Sequence, residues 1–261
     1  MQSRHQDRRQ YFNEQATTTR SYVIPSIEEV KSINQGDRIL EVGCGEGGNL
    51  LPFIERGADV TGVDLNERQL DRARQYLAEE GYPDTQIIHQ NIYDSSVDQL
   101  GQYDVIFLRD VIEHIPDQER FMKYVKSFLK PDGVMFFGFP PWQMPFGGHQ
   151  QVLKGCVSKI PYVHLLPEFL YRRIMRLSGI PQRIIDSRIT IRETGISIER
   201  FERCVERAEF SIMRKTHYLT NPNYKTKFGL PVKKVIFPFN KVPWLRNFYV
   251  TCGYYVISNS Q

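Results

Sequence analysis

The chain has 261 residues, about one large domain or two small ones at the usual ~150 residues per domain. Its 41% hydrophobic, 25% charged and 12% aromatic residues exclude a disordered tail or a fibrous repeat. A net charge of +4 conceals a split, because residues 1–153 carry 15 Lys and Arg against 23 Asp and Glu while residues 154–261 carry 19 against 7, so the second part either meets something anionic or is a solvated basic face.

No apolar run approaches the ~18 residues of a membrane span. Residues 1–9 carry charges with no apolar stretch behind them, unlike a secretory signal, so a cytoplasmic location is expected. Cys44, Cys156, Cys204 and Cys252 lie far apart without a C-x-x-C pair, which argues for free thiols rather than a zinc site or a disulfide framework.

In chain order, residues 26–33 read as a helix with a capping box at Ser26-Ile27-Glu28-Glu29. From 38 to 139, short β-branched runs alternate with helix-period stretches, the pattern of a doubly wound α/β sheet. Strands are expected at 38–42, 59–63, 86–89, 104–108 and 133–139, and helices at 47–55, 67–80 and 118–129, the last stopped by Pro131 and Gly133. The alternation lapses over 140–196, which reads as an insertion or lid with a basic amphipathic stretch at 165–177. A helix capped by Ser197 and running to Ala208, then strands at 210–219 and 248–257, complete the chain. One domain is expected, made of a helical cover (1–37), a ligand-binding core (38–139), a lid (140–196) and a C-terminal helix with an antiparallel strand pair (197–261).

The most informative segment runs from Arg38 through Gly43-Cys44-Gly45-Glu46-Gly47-Gly48, a strand entering a G-x-G-x-x-G turn. Gly43 permits the turn, Gly45 lets the backbone approach a ligand, and Gly48 lets helix and strand pack closely. Asp64 follows the second strand, where a carboxylate can take both hydroxyls of a ribose, so a nucleoside-containing cofactor is expected. Glu41 and Glu46 beside the glycines would repel a diphosphate but attract a sulfonium, which argues for S-adenosylmethionine, with S-adenosylhomocysteine as the product.

These residues resemble the class I S-adenosylmethionine-dependent methyltransferases, in particular the small-molecule type that includes ubiquinone-biosynthesis O-methyltransferases. The resemblance covers roughly 38–139 and rests on Glu41-Val42-Gly43-Cys44-Gly45, Val63-Asp64-Leu65, Gln90-Asn91-Ile92, and Asp110-Val111-Ile112-Glu113-His114. It implies a Rossmann-like, seven-stranded sheet with helices on both faces and a lid inserted between strands five and six. It assigns Glu41, Gly43, Cys44 and Gly45 to the methionine moiety, Asp64 to the ribose, Leu65 to the adenine face, Asn91 to the adenine amine and Ile92 to the pocket wall. Asn91 stands where aspartate is commoner, but its amide oxygen still accepts a hydrogen bond. The Arg109 carbonyl would meet the methionine amino group.

Methyl transfer needs the acceptor positioned and, where required, deprotonated. His149, in a glycine-hinged loop after the fifth strand, is the candidate general base. Trp142 is read as stacking on the acceptor or sealing the lid, and His114 as an acceptor contact or a residue that orients its turn. No metal is expected, against the alternative that Asp110, Glu113 and His114 hold a divalent cation for a catechol-like acceptor. Basic residues interleaved with aromatics after Lys154 suit a small-molecule or lipid-like acceptor, including an anionic one, and peripheral membrane contact by 165–177. Nucleic acid is the less favoured partner. The rival functions are RNA or protein methylation, a nicotinamide-dependent dehydrogenase, and a non-catalytic nucleoside-binding module.

Overall fold

The computed structural model describes residues 7–147 and 156–260. Five parallel strands form the expected core: β1 (Arg38–Val42), β2 (Asp59–Asp64), β3 (Gln86–His89), β4 (Tyr103–Arg109) and β5 (Leu129–Phe139). They are joined by β6 (Phe210–Thr220), β7 (Lys233–Lys234) and β8 (Cys252–Asn259) in the order β3-β2-β1-β4-β5-β8-β6-β7, with β8 antiparallel to both β5 and β6. The sheet therefore has eight strands rather than seven. The additional one is two residues long, paired with Tyr218 and Thr220, and a Lys-Lys pair carries no alternation from which a strand is recognised. The last strand begins at Cys252 rather than 248, because 245–248 form a tight helical turn.

The helices are α1 (Arg8–Thr18), α2 (Ile24–Glu28), α3 (Leu51–Ile54), α4 (Glu67–Glu79), α5 (Val97–Leu100), α6 (Gln118–Val125), α7 (Glu168–Leu177), α8 (Gln182–Thr194), α9 (Ile198–Arg207) and α10 (Pro222–Phe228). The N-terminal expectation needs correction. Ser26 is no cap but lies inside α2, its hydroxyl donating to the Tyr22 carbonyl one turn back at 2.8 Å. The helical cover starts instead at α1, where Asp7 accepts from the Gln10 backbone N–H, and a wide turn over Thr19–Val23 carries it into α2. Similarly, α3 starts at Leu51 rather than 47, since Gly47 has φ +78°, outside helical space. Ser197 caps α9 as expected, accepting from Arg200 N.

Alternation along the strands sorts the core into two layers. Leu40, Ile106, Met135 and Phe137 pack against Phe121, Met122 and Val125 of α6 and Phe201 of α9. Ile39, Val105, Phe107 and Phe136 pack against Phe12 of α1, Ile27 of α2, Phe53 of α3 and Leu70 of α4. Inside the insertion, Val163, Tyr171, Met175, Ile180, Ile185 and Ile189 form a small core of their own between α7 and α8, so residues 163–194 include a packed helical pair. The chain order reverses between β1 and β4, which opens a crevice beyond the carboxyl ends of those strands.

Candidate active site

A cavity of about 800 Å3 occupies that crevice, walled by the β1, β2, β3 and β4 ends, the lid, α1 and α10. On its first side Gly43 has φ +79°, and a Cβ there would lie 2.5 Å from Val111 Cγ2. Only glycine lets the turn pass under the segment after β4. Asp64, at the end of β2, organises the loop: its Oδ2 accepts from Gly45 N at 2.9 Å and its Oδ1 from Asn66 N at 2.8 Å. A carboxylate oxygen accepts more than one hydrogen bond, so both retain capacity for ligand hydroxyls. Leu65 is exposed at the cavity edge, Ile92 is buried in its wall, and Asn91 turns its amide oxygen to Tyr93 N at 3.1 Å, keeping its NH2 for a ligand. Cys44 lies in the wall, packed against Gly62. These features suit a nucleoside: a hydroxyl-binding acid, an apolar shelf and an amide at the ends of the neighbouring strands β2 and β3.

The charges differ from the sequence expectation. Glu41 is wholly buried behind the loop, where it accepts from Asn49 Nδ2 at 2.7 Å, and it is not among the cavity-lining residues. Glu46 lines the cavity but is paired with Arg72 at 3.0 Å and Arg8 at 3.5 Å. Neither therefore presents free negative charge to a sulfonium. Asp110, just past β4, lines the cavity without such a pairing, and Glu113 lies beside it. Asp110 is held at φ +57°, a costly backbone for a non-glycine residue. Glu113 is 6% exposed, and neither carboxylate oxygen has a hydrogen-bond partner among the described residues. Burial, and then the charge of Asp110, pushes its carboxyl well above the usual carboxylate range.

Arg109 extends the frame. Its guanidinium is buried and donates to Asn49 Oδ1 at 2.7 Å, to the Gln15 carbonyl of α1 at 3.5 Å, and to Asn223 Oδ1 of α10. One side chain thus ties the end of β4 to both helices that roof the cavity. Arg109→Met should lower unfolding stability by about 2 kcal/mol, the scale of hydrogen bonds to a charged group. Urea denaturation reads this directly, and an unchanged midpoint would mean the bridging is idle.

The opposite side is apolar. Pro140, Pro141, Trp142, Met144, Phe146, Ile191 and Ile196 line it, with His114 at the rim. Trp142 is fixed by its N–H to the Ile196 carbonyl (2.8 Å), by its carbonyl accepting from His164 Nε2 (2.7 Å), and by the Gly195 backbone against its ring. Burial drives the His164 pKa down to about 4, so its ring is neutral near pH 7 and Nε2 carries the proton that bonds Trp142. Partial desolvation at the rim lowers the His114 pKa, against the opposing pull of Asp110. His149 lies outside the described residues. Among the described residues no three His, Cys, Asp or Glu side chains are grouped to hold a metal ion.

Sequence reasoning did not find Tyr11 and Gln15 of α1 or Asn223 and Lys227 of α10, all cavity residues. Burial, aided by Asp110, pushes the Tyr11 phenol up to about 12, which keeps it a neutral donor. The α1 sequence is polar on nearly every face, so no periodic signal marked it. Its helical signal was Asp7 before Gln10, a cap without an apolar stripe.

A family model described as a methyltransferase domain matches residues 8–155. The chain is 35% identical over 111 residues to a ubiquinone biosynthesis O-methyltransferase of Bordetella avium, covering 42% of this chain and 46% of that protein. It is 33% identical over 102 residues to its namesake in Acinetobacter baylyi, covering 39% and 43%. The matches thus span about half the length of these curated relatives or less. Among solved structures, an S-adenosylmethionine-dependent methyltransferase from Clostridium acetobutylicum superposes with TM-score 0.58 at 12% identity, covering 94% of this chain and 92% of that one. A geranyl diphosphate C-methyltransferase from Streptomyces coelicolor, solved with Mg2+, geranyl diphosphate and S-adenosyl-L-homocysteine, superposes with TM-score 0.55 at 13% identity, covering 90% and 78%.

Proposed function

The chain belongs to the methyltransferase-domain family, within the class I S-adenosylmethionine-dependent methyltransferases, and on that premise we propose that it methylates a hydroxyl of a small, largely apolar acceptor. Membership sets aside the dehydrogenase alternative. Asp64 would hold the ribose hydroxyls, Leu65 and Ile92 the adenine faces, and Asn91 the adenine edge. The bound cofactor supplies a sulfonium methyl group that is already electrophilic. What remains for the chain is to orient the acceptor, exclude water and take a proton.

The observation that carries this reading is the pairing of an apolar, aromatic wall around Trp142 with the buried carboxyl of Glu113, neither of whose oxygens has a hydrogen-bond partner among the described residues. An apolar ring or chain packs on Pro141, Trp142, Met144 and Ile196, and its hydroxyl donates to Glu113. A carboxyl whose pKa is raised above the ordinary carboxylate range is, once ionised, a stronger proton acceptor than an ordinary one. The names of the curated relatives support oxygen as the methylated atom.

The test is release of S-adenosylhomocysteine with a polyprenyl-substituted catechol, with the same catechol lacking the tail, and with an amine and an oligoribonucleotide as alternatives. The tailed catechol should show the lowest KM, and its product should gain one methyl on oxygen. Turnover on the amine or the RNA alone would overturn the reading.

A further inference from the structure

We propose that residues 236–245 form a membrane-contact tip that seats this protein on an anionic lipid surface. The segment lies between β7 and β8, outside the residues matched by the family model. Its base is firmly held. Arg246, 7% exposed, pairs with Glu199 and Glu202 of α9, each at 2.8 Å. Asn247 accepts from Ile198 N at 2.7 Å and donates to Glu199 at 2.6 Å. Beyond that base the chain turns outward, with Trp244 packed edge-on against Phe248 at 4.9 Å.

The tip carries what a folded protein normally hides. Ile236, Phe237, Phe239, Trp244 and Leu245 are 49% to 72% exposed, five large apolar side chains within ten residues. Scattered single hydrophobics on a surface are ordinary, but a cluster on an ordered excursion marks a contact. Trp and Phe are the residues that settle in the interfacial zone of a bilayer.

Charge selects the occupant. From Phe210 to the last residue the sequence has eight Lys or Arg and no Asp or Glu. Lys233 and Lys234 flank the tip, and Lys241 sits over the Phe237 ring at 6.0 Å. Basic residues beside exposed aromatics match a negatively charged leaflet. Arg214, Lys215 and Arg246 are paired with carboxylates of earlier segments, but Lys233, Lys234 and Lys241 form no ion pair among the described residues, and a second copy would bring these three lysines against their own counterparts, which opposes a symmetric pairing.

The expectation for 165–177 is thereby revised, since Tyr171 and Met175 of α7 face the lid's own core and leave only Phe169 and Leu177 markedly exposed. An amphipathic pattern there reports helix-on-helix packing.

The test is co-sedimentation of the full chain with phosphatidylcholine vesicles and with vesicles containing phosphatidylglycerol. Binding is expected only to the second, and to weaken in high salt. Phe237→Ser with Trp244→Ser should reduce the partition coefficient about 100-fold, near tenfold per buried aromatic ring, with the thermal midpoint and S-adenosylhomocysteine affinity unchanged. Lys233→Glu with Lys234→Glu and Lys241→Glu, on exposed positions, should remove the preference for anionic vesicles. Three results would overturn the proposal: no sedimentation with anionic vesicles at low salt, undiminished binding by the double serine variant, or concentration-dependent dimerisation that this variant abolishes. None of these readouts depends on the identity of the methyl acceptor.

Discussion

Glu113→Gln is expected to lower kcat by about 100-fold or more, the range attributed to a positioned proton acceptor, while leaving S-adenosylhomocysteine affinity nearly unchanged. Glutamine keeps the shape and polarity of the side chain but cannot take a proton. In the wild type, kcat should climb with pH through the raised Glu113 pKa, and this ascending limb should vanish in the variant. A variant with full turnover and the same pH profile would remove Glu113 from the chemistry.

The same substitution carries a stability signature of defined sign. The folded-state pKa of Glu113 lies above its unfolded value. The stabilisation from burying the neutral carboxyl is therefore complete below the unfolded pKa and disappears as pH rises through the folded one. Glu113→Gln should thus match the wild type in acid and melt at an increasingly higher temperature than the wild type as pH rises from the unfolded carboxyl pKa toward the folded one. Glu41 also has a raised pKa, through burial, and contributes in the same direction, but equally to both proteins, so the difference between the two melting curves isolates Glu113. Higher stability with lower turnover is the expected trade at a site that keeps a carboxyl unpartnered.

Asp64→Ala should weaken S-adenosylhomocysteine binding by about 30- to 150-fold, or ~2 to 3 kcal/mol, as for lost hydrogen bonds to a charged group. Two losses combine. The ribose hydroxyls lose their acceptor, and the N–H groups of Gly45 and Asn66, which Asp64 holds at 2.9 and 2.8 Å, are released, so the glycine loop is no longer pre-shaped. Asp64→Asn should fall between the two, because its one amide oxygen can hold only part of that set. Calorimetric titration gives the affinities, and values within twofold of the wild type would exclude Asp64 from the cofactor site.

Local chemistry was enough for the first half of the chain. The β1 glycine turn needs positive φ at Gly43, the β-branched runs need a sheet covered on both faces, and an acid at the end of β2 is placed by strand geometry alone. The strands, their parallel order and the place of Asp64 beside the glycine turn were therefore legible from residue type and spacing, while Asn91 and Asp110 were placed by the resemblance to the methyltransferase family. Glu41 was misread for the same reason that made it conspicuous: a charged residue in a strand looks like a ligand contact, but alternation turned it away from the cavity, where Asn49 satisfies it.

What sequence could not supply were contacts between distant segments. Nothing in Arg8–Thr18 or Pro222–Phe228 shows that Arg109 will bind both, because such a bridge exists only when helices separated by some 200 residues meet over β4. Nor does the composition of 236–245 distinguish a core segment from an exposed tip. That distinction was made by the tertiary packing, in which Glu199 and Glu202 pin Arg246 while Phe237, Phe239 and Trp244 stay more than half exposed. Backbone preference and periodicity act over a few residues and fix the elements; burial is a property of the whole packed chain, and it alone decided which carboxyl stands unpaired and which hydrophobic residues face outward.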